Sequence, residues 1–174
     1  MPNWTANQLT VEGDKDEITR FLDSVKSPVQ DFDFNQIIPM PKILLNTGSG
    51  AWEIDGQRVS SWYAEEGGKR RLFTPEEQQE LESIGHNNWY SWSVANWGCK
   101  WNATNLEVDS DSYEDEAVIE FNTPWSPPTP ILLALREQYP TLEFKLRYRL
   151  EDDNPFPHDA DEDKGTQETT RLAA

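Results

Sequence analysis

The sequence predicts an α+β domain in which an antiparallel sheet is covered on one face by two helices. Three observations carry that prediction. An alternating strand followed by an amphipathic helix opens the chain; a strand, a polar turn and a second strand follow residue 101; and another helix leads into the most regular alternation in the sequence.

Gln8-Leu9-Thr10-Val11-Glu12 alternates polar and apolar residues up to Gly13, as a half-buried strand does. Asp14 is placed to cap a helix whose apolar residues Ile18, Phe21, Leu22 and Val25 recur at helical spacing and which ends before Pro28. From Lys100 the pattern becomes regular again. Trp101 to Val108 reads as a strand, Ser110 to Glu114 as a turn, and 117–121 as a second strand facing inward through Ala117, Ile119 and Phe121. Pro127-Pro128 opens a helix with Ile131, Leu132, Leu135 and Tyr139 on one face, closed by Pro140. Leu142, Phe144, Leu146, Tyr148 and Leu150 then alternate with Glu143, Lys145, Arg147 and Arg149, which is period-2 strand patterning.

Residues 29–98 form a long tryptophan-rich insertion. "DFDFNQIIPMPKILL" is apolar but broken by Pro39 and Pro41, so it reads as an extended segment against the body. The glycine- and serine-rich run from Asn46 is compatible with a loop or with a small hairpin over 51–62. Thr74-Pro75-Glu76-Glu77 combines an N-cap, proline at the first helical position and glutamate at the third, predicting a helix to about Ile84; Asn88 to Ala95 fits a second short helix. The order β, α, insertion, β, β, α, β is the split βαβ of a ferredoxin-like sandwich. The expected organisation is one domain over 1–150, followed by an acidic tail, 151–174, too polar to fold alone and without structure beyond about Asp159.

That topology brings the end of the first strand, the hairpin turn and the entry to the last strand to one end of the sheet. Glu12, Asp14, Asp16 and Glu17 are then expected beside Asp109, Asp111, Glu114, Asp115 and Glu116, as an acidic pole. The net charge is −17, of which residues 101–124 (seven acids, no bases) and 151–174 (eight acids, two bases) supply most. Charge of this sign and density repels nucleic acid and anionic membranes. A single cysteine excludes an internal disulfide, the N-terminal residues lack the pattern of a secretion signal, and no apolar run approaches membrane-spanning length, so a cytoplasmic location is expected.

Several strings carry a family resemblance. "MPNW" at the start, "IIPMP" at 37–41, "NWGCKWNA" at 96–103 and "FNTPWSPP" at 121–128 resemble the YubB-type ferredoxin-like domain of bacteriophage and conjugative-plasmid proteins, over roughly residues 1–150. The sequence departs from that pattern at Thr5, where cysteine is expected, and in its very acidic tail. The resemblance implies a mobile-element origin and a ferredoxin-like fold, and it implies no activity.

Candidate chemistry is thin. Cys99 needs a base and an orienting group to act as a nucleophile, but the only histidines are His86 and His158, and Lys100 should project from the opposite side of an extended chain. Six of the eight tryptophans lie between residues 52 and 101; with Lys100 the only cation from Trp89 to Trp101, packing is favoured over stacking on bases, while a sugar or small-ligand cleft remains an alternative. Asp109, Asp111, Asp115 and Glu120 occupy positions 1, 3, 7 and 12 of a calcium-loop pattern, but Glu114 stands where that loop needs glycine and the following residues read as strand. Lys145, Arg147 and Arg149 face away from the core and are expected to pair with acids of the insertion or the tail rather than with RNA.

The expected function is therefore non-enzymatic, with no cofactor and no metal: an acidic interaction protein that mimics nucleic acid and inhibits a basic, nucleic-acid-binding host defence protein of CRISPR or restriction type. The alternatives are a ligand-binding protein or enzyme using the tryptophan-rich insertion, or a regulatory or structural mobile-element protein.

Overall fold

The computed structural model describes residues 3–110, 115–151 and 158–161. In chain order the elements are β1 (Trp4–Glu12), α1 (Lys15–Val25), α2 (Phe34–Ile37), β2 (Thr47–Ile54), β3 (Gln57–Ala64), β4 (Arg70–Arg71), α3 (Pro75–Ile84), α4 (Trp89–Trp97), β5 (Thr104–Asp109), β6 (Glu116–Pro124), α5 (Thr129–Gln138), β7 (Glu143–Leu150) and β8 (His158–Asp159). They fall into two compact units, one drawn from Met1–Ile38 and Trp97–Ala174, the other being Pro39–Asn96.

The first unit carries a sheet in the order β5-β6-β1-β7-β8, every pair antiparallel. Without the short β8, that is the strand order of a ferredoxin-like sheet, and the mixed α+β fold is ferredoxin-like. β1 is paired on both sides, so its alternate residues Thr5, Asn7, Leu9 and Val11 are buried on one face. Leu9 meets Ile119 and Leu146 in register, and Val11 meets Ala117 and Phe144. Onto this face α1 sets Ile18, Phe21 and Val25, and α5 sets Ile131, Leu132 and Leu135, all buried. Phe32 and Phe34 extend this core: Phe32 lies 5.3 Å from Phe121 and Phe34 lies 5.9 Å from Trp97, ring centre to ring centre.

Several expected boundaries shift. The first strand begins at Trp4 rather than Gln8, because its early inward residues are the polar Thr5 and Asn7 and break the apolar alternation. Asn7 donates to Thr123 Oγ1 at 2.8 Å, whereas its own Oδ1 and the Thr5 hydroxyl are buried without a partner among the described residues. The segment expected to be extended contains instead one helical turn, α2, capped by Asp33, and a 3-10 turn over Lys42–Asn46. Asn102 fixes α2 to the start of β5: its Oδ1 accepts from the amides of Phe34 (3.0 Å) and Ala103 (2.9 Å), and its Nδ2 donates to Asp33 (2.7 Å). Within the stretch read as an unstructured tail, His158–Asp159 pair with Tyr148 and Arg147, Ala160 is buried, and Arg136 grips Asp161 through two 2.7 Å bonds.

"NWGCKWNA" marks the return to the first unit. Gly98 has φ +80 and a Cβ there would fall 2.6 Å from Pro130, so both the turn and the close approach require glycine. Trp97 is buried and donates its indole N-H to the Ile38 carbonyl at 2.9 Å.

The second unit has its own three-stranded sheet, β2-β3-β4. Of the two readings for this stretch the hairpin is realised, turning at Asp55-Gly56 with both residues at positive φ (52 and 76), the geometry that twists with its flanking strands. Gly48 lets the Trp62 ring lie directly on β2, since an added Cβ would sit 2.2 Å from it. α3 starts with the expected capping box between Thr74 and Glu77. The Glu77 carboxylate also takes a two-pronged bond from Arg71, both contacts at 2.7 Å, and this arginine holds its carboxyl below the ordinary range. Among the described residues no helix is long and apolar enough to cross a membrane.

Two expectations follow. Asn102→Ala strands the Phe34 and Ala103 amides and should cost about 1–3 kcal/mol in denaturant unfolding. Glu77→Gln should lower the melting temperature of the second unit at neutral pH. A carboxylate with a lowered folded pKa stabilises only while ionised. The gap between Glu77→Gln and wild type should therefore be full above about pH 5, and it should close as pH falls from the unfolded value of about 4.3 through the lowered folded one, as read in melts followed by tryptophan fluorescence.

Candidate functional site

The register of the sheet decides where its charges meet. Glu12 at the end of β1 pairs across to Glu116 at the start of β6 and to Glu143 at the start of β7, so three strands place a glutamate at the same edge. The Gly13 amide donates to the Asp115 carbonyl at 3.0 Å, tying the β1–α1 turn to the hairpin. Asp14 caps α1 by accepting from the amides of Asp16 (3.0 Å) and Glu17 (3.3 Å), so three more carboxylates crowd the first turn, where the helix dipole favours them. Asp109, opposite Val118, completes the group from β5.

Of the residues expected at this pole, Glu12, Asp14, Asp16, Glu17, Asp109, Asp115 and Glu116 are brought to one end of the sheet. Asp111 and Glu114 lie outside the described residues. Glu143, at the start of β7, is missed by sequence reasoning because three bases dominate the charge of the alternation from Leu142 to Leu150. Lys145 is also placed differently from the expectation. That ammonium lies 2.9 Å from Glu12 and 3.3 Å from Glu143, within the sheet itself rather than against the insertion or the tail. Its Cα partner is Thr10, which puts Glu12 on the diagonal and within reach of a long side chain. Hydrogen bonds to both glutamates hold the Lys145 pKa above its ordinary value.

The uncovered face of the sheet is polar and graded in charge. Glu107 and Glu120 stand directly opposite each other across β5 and β6, a like-charge pairing that costs stability, and Gln8 donates to Glu120 at 2.9 Å. Arg147 and Arg149 lie on the β7 side of the same shallow groove of about 330 Å³. At the far end of β1, about 27 Å from Glu12 for nine extended residues, Trp4 packs edge-on to Trp101 at 6.3 Å. Lys100 lies over both Trp101 (4.7 Å) and Trp125 (5.0 Å), and Trp125 is held at φ 72 with its ring half-exposed.

The tryptophans of the insertion are used in packing: Trp62 is buried, Trp52 packs on it at 6.1 Å, and Arg70 stacks 3.7 Å over Trp52. The groove between α1 and β5 and the shallow groove on the open face of the sheet are lined by other residues than tryptophan. Cys99 is buried, its thiol directed at the Trp101 carbonyl 3.3 Å away, and burial pushes its pKa up to about 12. His86 lies 3.3 Å from the Ser91 hydroxyl. Among the described residues no group of three or more His, Cys, Asp or Glu is arranged to hold a metal ion.

Residues 96–155 match a family model described as the ferredoxin-like domain in Api92-like protein. The match runs from the end of α4 to just past β7, and so takes in the hairpin that carries Asp109, Asp115 and Glu116. No curated protein and no solved structure shows a significant match to the chain.

With its thiol buried and protonated, Cys99 should resist alkylation by iodoacetamide at pH 8 in the native protein and react fully in denaturant. Rapid native labelling would show that the Gly98–Trp101 turn opens readily.

Proposed function

We propose that the chain is a non-catalytic interaction protein, of bacteriophage or conjugative-plasmid origin and related to the YubB-type domain, that acts in the host cytoplasm. Its acidic pole occupies the nucleic-acid groove of a basic host protein, such as a CRISPR or restriction effector, and competes with the phosphate backbone. The observation that supports this most is the alignment of Glu12, Glu116 and Glu143 on adjacent strands, with Asp14, Asp16, Glu17, Asp109 and Asp115 around them. Neighbouring strands are about 4.8 Å apart and alternate residues about 6.8 Å, so the carboxylates form a charge lattice at spacings comparable with successive phosphates.

The mechanism is electrostatic. A basic groove exchanges its counterions for these carboxylates, and the exposed part of the attraction is screened over a Debye length of about 8 Å at physiological ionic strength. Lys145 lowers the charge locally while holding Glu12 and Glu143 in place. The protein therefore attracts cationic grooves over distance and is repelled by nucleic acid itself.

The reading is tested by capture from host lysate at low and high salt, using wild type and the triple variant Asp109→Asn, Asp115→Asn, Glu116→Gln. A nucleic-acid-binding protein that elutes with salt, is displaced by duplex DNA and binds the variant about tenfold more weakly at low salt is the expected result. Capture indifferent to salt and to the three neutralisations would sink it.

A further inference from the structure

The open face of the sheet holds charges of both signs that do not neutralise one another. Glu120 on β6 and Arg147 on β7 both stand opposite Gln8 of β1, in one row across the strands, and Glu107 on β5 continues the row beside Glu120. Arg149 follows on the same exposed face of β7, two residues after Arg147. Among the described residues no ion pair joins either arginine to a carboxylate, and none joins Glu107 or Glu120 to a base. The acids nearest the arginines in register are engaged elsewhere. Asp159, opposite Arg147 on β8, accepts from the Asp161 amide at 2.9 Å, and Glu151, two residues after Arg149, accepts from the Trp4 amide at 3.1 Å.

β1 keeps the two signs apart. Gln8 donates its side-chain amide to Glu120 at 2.9 Å and so leans to the acidic side, while Ala6, in register between Asn122 and Arg149, presents only a methyl group. The result is the shallow groove of about 330 Å³, a volume at the lower end of the range for small-molecule sites. Glu107 and Glu120 form one wall and Arg147 and Arg149 the other; the bulge in β5, with Asn105 at φ 51, adds the Asn105 amide on the acidic side.

The two walls select against ions of a single sign. A polyanion meets Glu107 and Glu120 in the same groove as the arginines, and a polycation meets the arginines. An ammonium placed between Glu107 and Glu120 relieves their mutual repulsion, and a carboxylate can take forked bonds from a guanidinium of the other wall. With neighbouring strands about 4.8 Å apart, Glu120 and Arg147 are separated by about 10 Å, backbone to backbone.

From this we infer that the groove on the open face binds a small zwitterion whose ammonium and carboxylate lie about 10 Å apart, which is the reach of a free peptide of three extended residues. The ammonium is held by Glu107 and Glu120, the carboxylate by Arg147 and Arg149, and the length of the molecule is measured across β1. The groove uses none of the carboxylates of the acidic pole, so this is a second binding function, separate from the capture of a basic partner.

The probe is trialanine, compared with N-acetyltrialanine, which lacks the ammonium, and with trialanine amide, which lacks the carboxylate. The full chain is titrated at about pH 6.5, where both ends of trialanine are charged, and amide resonances are followed by NMR. Trialanine should shift the resonances of residues 6–8, 120–122 and 147–149, and each blocked peptide should bind about tenfold more weakly. Glu107→Gln should weaken trialanine without weakening N-acetyltrialanine, and Arg147→Gln should weaken trialanine without weakening trialanine amide; both positions are exposed, so the fold is retained. A blocked peptide that binds as tightly as trialanine, shifts scattered beyond these strands, or no binding of trialanine would each overturn the inference and leave the two walls as solvated surface charge.

Discussion

Strand β1 is hydrogen-bonded along both edges, from Trp4 to Glu12 with β6 and from Thr5 to Glu12 with β7, and the register of those two ladders is the constraint on which the first unit depends. It sets Leu9 and Val11 among Ile119, Ala117, Leu146 and Phe144, which is the sheet's contribution to the core. The same register ends all three strands on a glutamate. A slip of one residue would turn Leu9 and Val11 outward and at the same time separate Glu12 from Glu116 and Glu143. Apolar burial thus pins the position of the charges: burying side chains the size of leucine or isoleucine stabilises by about 1.5–3 kcal/mol each, more than an exposed carboxylate repulsion costs.

Charge is arranged across the sheet rather than spread over it. Glu107, Asp109, Glu116 and Glu120 lie on β5 and β6, and Lys145, Arg147 and Arg149 on β7. Lys145 reaches across to Glu12, whereas Glu107 and Glu120 face one another. Local repulsion of this kind is tolerable on an exposed face in high dielectric, and it leaves the sheet polarised from one edge towards the other.

The elements legible in the sequence were those whose signals are local. Asp14 before α1, Thr74 to Glu77 at the start of α3, and the alternation from Leu142 to Leu150 each announce themselves within a turn or a few residues. The start of β1 was hidden because Thr5 and Asn7 are polar yet buried, and β8 because two residues carry no periodicity. Asp55-Gly56 was a usable hairpin signal in a stretch where glycine and serine blurred the pattern. For the site, strand order alone was enough to gather Glu12, Asp14, Asp16, Glu17, Asp109, Asp115 and Glu116. The facing of Glu107 by Glu120 and the diagonal from Lys145 to Glu12 depend on register, which no local pattern encodes.

The hydrogen bond from the Trp97 indole to the Ile38 carbonyl has a consequence for the length of chain that the first unit tolerates between those two residues. The points where the backbone leaves the first unit and comes back to it are pinned side by side, so to the sheet everything between them is a single closed loop. Closure entropy grows only with the logarithm of loop length, about 0.6 kcal/mol per doubling. A ferredoxin-like sheet joined in this way is nearly indifferent to how much polypeptide is spliced in at that junction, and the splice can be lengthened, shortened or exchanged while the ladders of β1 remain as they are.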